Sequence, residues 1–128
     1  MAGGRTDGLI KNFKAGGAIA PRRYIKFGAD DVTVVQASGP TDGIIGVSLD
    51  IPAITGERVD VAMTDIAEVD FGGNVARGDF LTSDANGKAV TAAPATGANV
   101  RIGGQAMVSG VSGDIGTVHI QKSVMQGA

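Results

Sequence analysis

Val69 to Val90, VDFGGNVARGDFLTSDANGKAV, decides the fold class, because it holds three backbone-determined turns in one short stretch. Gly72-Gly73 closes an apolar-alternating run, and paired glycines accept the positive φ that a side chain resists. Arg77-Gly78-Asp79 makes a second corner ahead of Phe80-Leu81-Thr82. Asn86-Gly87 is a strong hairpin signal, since a type I′ turn needs positive φ at both central residues. The stretch therefore predicts a β-hairpin entered through Thr82-Ser83 and left through Lys88 to Thr91.

Period-two alternation continues on both sides. Ala67, Val69 and Phe71 alternate with Glu68 and Asp70, and Val59, Val61 and Met63 alternate with Arg58, Asp60 and Ala62, the pattern of half-buried strands. Ile44 to Leu49 is a nearly unbroken apolar run, hence a buried strand; Val32 to Gln36 and Arg22 to Phe27 are β-prone. Downstream, Ala92 to Asn99 is loop-like, a strand lies around Gln105 to Val108, Gly113-Asp114 turns the chain, and Ile115 to Gln121 is the last strand. Met1 to Gly17 shows no sustained period and is expected to be an extended arm, and Ser123 to Ala128 a fraying tail. The expected fold is all-β: one small sandwich or barrel-like domain over residues 18–122, with about eight or nine short strands. No fixed-period repeat and no amphipathic helix stand out.

Composition narrows the function. Aromatic residues are 4% of the chain with no Trp, so the core must be built from Val, Ile, Ala, Leu and Met, while 21 glycines raise the entropy lost on ordering. Such a protomer gains stability from partners. Without Cys there is no disulfide, thiol nucleophile or thiolate metal site. No apolar run suits a signal peptide or a membrane span, so no membrane partner is expected. Charge is divided unevenly: Met1 to Phe27 carries a net +5 and the remainder −7. This predicts a basic end, complementary to an acidic protein surface, on an acidic body. A pI near 5.2 argues against a nucleic-acid partner despite the basic-aromatic run Arg22-Arg23-Tyr24-Ile25-Lys26-Phe27.

Each chemical motif has a plainer explanation. His119 is the sole histidine and sits in a strand; Ser109 or Ser112 with Asp114 would complete a triad, yet no nucleophile elbow precedes either serine. One histidine among scattered Asp gives no metal-ligand spacing. Arg77-Gly78-Asp79 spells an integrin-ligand tripeptide, but a glycine corner before a strand accounts for it. Lys88 beside a hairpin suggests a lipoyl- or biotinyl-carrier lysine, although Asn86-Gly87 occupies the turn itself. The sequence thus predicts no enzyme, no cofactor and no metal.

Four phrases in order, FKAGGAIAPRRYIKFG, GIIGVSLDIPAITGERVDV, VDFGGNVARGDFLTSDANGKAV and IGGQAMVSGVSGDIGTVHI, resemble the capsid cement (head decoration) proteins of tailed bacteriophages. The resemblance runs from about Phe13 to Ile120 and rests most on Gly72-Gly73, Gly78-Asp79, the hairpin from Ser83 to Lys88 and Gly113-Asp114. It implies a homotrimer on the outer surface of the phage head, made in the host cytoplasm, that clamps the major capsid protein shell. A tail or fibre-associated β module is a second structural reading, and a carrier domain modified at Lys88 one of another class. Capsid contact is expected from the basic arm, through Arg5, Lys11 and Lys14 with Leu9, Ile10 and Phe13 among them.

Overall fold

The computed structural model describes residues 8–128. They form ten strands: β1 (Ile10–Ala15), β2 (Tyr24–Phe27), β3 (Thr33–Gln36), β4 (Ile44–Ser48), β5 (Arg58–Ala62), β6 (Ile66–Asp70), β7 (Phe80–Ser83), β8 (Ala89–Thr91), β9 (Asn99–Ala106) and β10 (Ile115–Gln126). No helix occurs among the described residues. The first five strands close a barrel in the order β1-β3-β2-β4-β5, and the last five form a sheet in the order β6-β10-β9-β7-β8. The architecture is all-β, as the alternation implies, with ten strands rather than eight or nine.

The two units are copies of one design. Followed around the barrel from β1, the neighbours are β5, β4, β2 and β3; followed across the sheet from β6, they are β10, β9, β7 and β8. Parallel pairing of Ala15 with Val34 closes the barrel, and a parallel bridge from Phe71 to Ala89 nearly closes the sheet in the same place. The backbone bonds at that corner match: Ala15 N donates to Glu57 O and Phe71 N to Asp114 O, both at 2.8 Å. Gly16 N donates to Val34 O and Gly72 N to Ala89 O, again both at 2.8 Å. Gly46 and Gly104 also correspond, since an added Cβ would strike the carbonyl of the residue paired with the next position in both, Ala62 opposite Val47 and His119 opposite Gln105. This repeat escapes the sequence reading because the identities, such as Gly16-Gly17 with Gly72-Gly73, Gly46 with Gly104 and Gly56 with Gly113, are few and scattered.

One turn recurs at the corners of both units. In Ile54-Thr55-Gly56-Glu57, Ala76-Arg77-Gly78-Asp79 and Val111-Ser112-Gly113-Asp114, the last N–H donates to the first carbonyl at 3.0 Å. The glycines take φ of 89°, 95° and 93°, the type II geometry that excludes most side chains. Each closing carboxylate accepts a bond from the first residue's N–H, at 2.9, 3.0 and 2.9 Å. The fourth corner, Ala20-Pro21-Arg22-Arg23, places Arg22 at φ 56° instead. There Arg22 Nε bonds Asp70 Oδ1 at 2.8 Å and Arg23 N donates to the Ser48 hydroxyl at 3.0 Å, which holds the strained residue in place.

Alternation along the barrel strands separates two cores. Phe13, Ala15, Ile25, Val34, Val59 and Val61 fill the barrel. Tyr24, Ile44, Val47 and Ala62 point out of it and pack on Ala67, Val69, Phe71, Leu81, Ala106 and Val118 from the inner face of the sheet. The barrel thus plugs the open second unit. Tyr24 is the largest buried side chain, and an added Cβ on Gly103 would collide with its ring, so that glycine makes room for it. Its hydroxyl has no hydrogen-bond partner among the described residues, and burial pushes the phenol's pKa well up.

Several local expectations change. Ile10–Ala15, expected in the arm, is a barrel strand: Phe13 and Ala15 point inward, while Lys11, Asn12 and Lys14 hide the alternation by their polarity. Ser123–Gln126, expected to fray, pairs with Asn99–Ile102 beyond a bulge and extends β10 as a ribbon. The central hairpin is not type I′, because Gly87 has φ 74° but Asn86 stays at negative φ. Gly87 N donates to Asp84 O at 3.3 Å and Asp84 N to Lys88 O at 2.9 Å, a three-residue loop with a glycine bulge. Asp84 Oδ1 accepts from the N–H groups of Asn86 and Lys88 and stabilises that longer loop. Gly72 and Gly73 also lack positive φ. Gly72 is needed for close approach instead, since a Cβ there would run into the Asp84 carboxylate.

Candidate interaction surfaces

Each expected contact residue has a definite place except Arg5, which lies outside the described residues. Leu9 and Ile10 are 58% and 42% exposed where the chain enters the barrel. The Leu9 backbone is already fixed, with its N–H donating to Thr64 Oγ1 at 2.9 Å and its carbonyl accepting from Met63 N at 2.8 Å. Lys11 and Lys14 are exposed. Lys11 Nζ lies 5.2 Å from the centre of the Phe13 ring. Phe13 itself is 1% exposed and meets Phe27 edge-on at 6.0 Å, so it belongs to the barrel core. Beside these residues, Asn12 bridges Arg58 and Asp60, accepting from Arg58 Nε at 2.5 Å and donating to Asp60 Oδ1 at 2.9 Å. The result is a basic, partly apolar strip along β1, held on a rigid barrel.

The residues that carried chemical alternatives are committed to structure. Asp79 caps Ala76 and accepts from Thr91 Oγ1 at 2.8 Å, so the Arg77-Gly78-Asp79 carboxylate holds a corner. Asp114 caps Val111, and Ser109 Oγ accepts from Arg77 N at 2.9 Å; neither bonds His119. His119 is exposed, with Nδ1 2.9 Å from Gln121 Nε2. Lys88 closes the hairpin through its backbone rather than standing at the tip. Among the described residues no three His, Cys, Asp or Glu side chains gather as a metal site, and no helix is long and apolar enough to cross a membrane.

A surface that sequence reasoning missed is the outer face of the sheet. Phe80, Met107 and Ile115 are 42%, 43% and 53% exposed there, beside Gln105 and His119. Their alternation with buried Leu81, Ala106 and Gly116 is visible in the sequence, but apolar residues on both faces read as a core strand.

The chain is two packed all-β units with corners fixed by backbone turns. Its family follows from direct comparison: the model of the phage cement protein family matches residues 5–121, and the chain belongs to that family. It is therefore a structural component of the phage capsid, in a family of structural virion proteins rather than enzymes. The chain is also similar in fold to the crystal structure of the head fiber gp8.5 N base of bacteriophage phi29, with a TM-score of 0.68 and 19% identity over 92% of this chain and 98% of that one. No curated protein matches.

Proposed function

We propose that this protein binds the outer surface of a tailed-phage head as a homotrimer and reinforces the major capsid protein shell. The observation that carries the reading is membership of the cement family across residues 5–121. The fold supports it: the side chains of Asp79, Asp114 and Ser109 hold turns and corners, and extended surfaces remain as the means of action. Shell contact is assigned to the strip at the start of the barrel, with Ile10, Lys11 and Lys14 presented on β1, Leu9 just before it and Arg5 preceding them. Phe13 supports that strip from inside. Trimerisation multiplies a weak contact by three through effective concentration.

Binding of purified protein to undecorated heads, at low and moderate salt, tests this. The wild type should bind, whereas Lys11→Glu with Lys14→Glu should lose most of the salt-dependent part and remain folded. Undiminished binding by the double variant removes the strip from the interface. Binding to tails instead of heads would favour the tail or fibre-associated module.

A further inference from the structure

The internal duplication leaves one face uncovered. In the barrel, Tyr24, Val47, Ala62 and Ile10 form a cross-strand row. Tyr24, Val47 and Ala62 are 0% exposed, because the second unit lies on them. The equivalent row on the sheet is Phe80, Gln105, His119 and Ile66. No described residue covers it, and Met107 and Ile115 continue the apolar surface alongside.

We infer that this face packs against a second copy of the same chain, an assignment that rests on the trimer proposed above. Three observations select that occupant. The same row in the first unit is already covered by a five-stranded unit of identical strand order, so this surface design is one that such units pack on. Its residues are those of interface centres: Phe, Met and two Ile around Gln and His, with no Lys in the row. Finally, the cations suited to an acidic shell, Lys11 and Lys14, lie on β1 of the other unit, whereas this face carries the acidic Glu68 opposite Thr117, so it has a different partner. On the adjoining edge, Asp70 is neutralised by Arg22 and Arg23 at 2.8 and 3.4 Å.

Sedimentation of the full chain, wild type and the Phe80→Glu, Gln105→Glu double variant, tests the assignment. The wild type should be a trimer and the variant a monomer with an unchanged circular-dichroism spectrum. A folded variant that stays trimeric overturns the assignment but leaves the trimer standing. A wild type that is monomeric both free and on heads defeats the trimer itself. Should the double variant fail to fold, the cysteine-free chain offers a second readout. Cysteine introduced by Met107→Cys should react with a maleimide about tenfold more slowly in the trimer than that from Val32→Cys, an exposed position in the turn before β3. Equal reactivity in a trimer would also overturn the assignment.

Discussion

Replacing Gly87 with alanine adds one carbon where backbone and packing both resist it. The residue has φ 74°, a region costing an L side chain roughly 1–2 kcal/mol. The new Cβ would lie 2.8 Å from Gln36 Cγ, 3.1 Å from the Ala37 carbonyl oxygen and 3.3 Å from Arg23 Cβ. Gln36 can move away, but it donates to Asn86 O at 2.9 Å and would lose that bond. The Ala37 carbonyl belongs to the backbone and cannot yield independently, so overpacking adds roughly 1–2 kcal/mol. The hairpin tip also joins the two units, with Tyr24 N donating to Gly87 O at 2.8 Å and Arg23 Nη1 to Asn86 O at 2.9 Å. The total for Gly87→Ala is about 2–4 kcal/mol, and Gly87→Val exceeds it because a β-branched residue tolerates positive φ less well. Gly113 supplies the control: its φ is 93°, but nothing lies within 4 Å of the added carbon. Gly113→Ala should therefore cost about 1–2 kcal/mol, from the backbone alone. Urea unfolding of the wild type and both alanine variants, with midpoints converted through a common slope, measures the difference. Equal losses would show that the Gly87 contacts carry no energy and that the hairpin does not dock as described.

Tyr24 is the chain's single tyrosine, so its ionisation can be followed by tyrosinate absorbance. Burial raises its folded pKa; above about pH 10 the unfolded chain releases the proton while the fold retains it, so stability is complete below that pH and falls above it. Tyrosinate should appear only with unfolding, and titration within the intact fold near pH 10 would contradict the burial. Tyr24→Phe removes a hydroxyl that has no partner and should leave the thermal midpoint unchanged or raise it; a clear drop would reveal a missed hydrogen bond. Asp79→Ala loses bonds to Ala76 and Thr91, whereas Asp114→Ala loses one to Val111, so the expected costs are about 2 and 1 kcal/mol; the reverse order in urea unfolding would count against the shared turn design. Burial disfavours the Asp42 carboxylate, but hydrogen bonds from Lys26 and Ser38 outweigh that and lower its pKa. Its stabilisation is therefore present above the ordinary carboxylate range and lost as pH falls through the lowered value, and Asp42→Asn should flatten the stability curve there.

The parts of the fold legible in the sequence are those where side chains alternate cleanly or glycine is indispensable. Val59 and Val61, Val69 and Phe71, and Gly78 and Gly113 all sit as alternation and turn chemistry require. β1 was hidden because Lys11 shares the inward-facing register of Phe13 but lies at the barrel's end, where its cation can stay wet. The end of β10 was hidden because Ser123–Gln126 is mostly exposed and its two apolar residues, Val124 and Met125, are adjacent and so fall on opposite faces, leaving no alternation to read. At Asn86-Gly87 the dipeptide signalled the hairpin correctly, but Asp84, two residues earlier, chose the turn by capping Asn86 and Lys88. The outer sheet face was illegible for another reason. Which of two apolar faces meets the barrel depends on strand order, and strand order is not a local property.

Cryo-electron microscopy of undecorated heads incubated with the purified protein tests capsid cementing most directly. The predicted result is added density on the outer surface of the head, in groups of three, with the start of β1 turned toward the shell. Heads that remain bare at saturating protein, or protein attached only to tails, would contradict it.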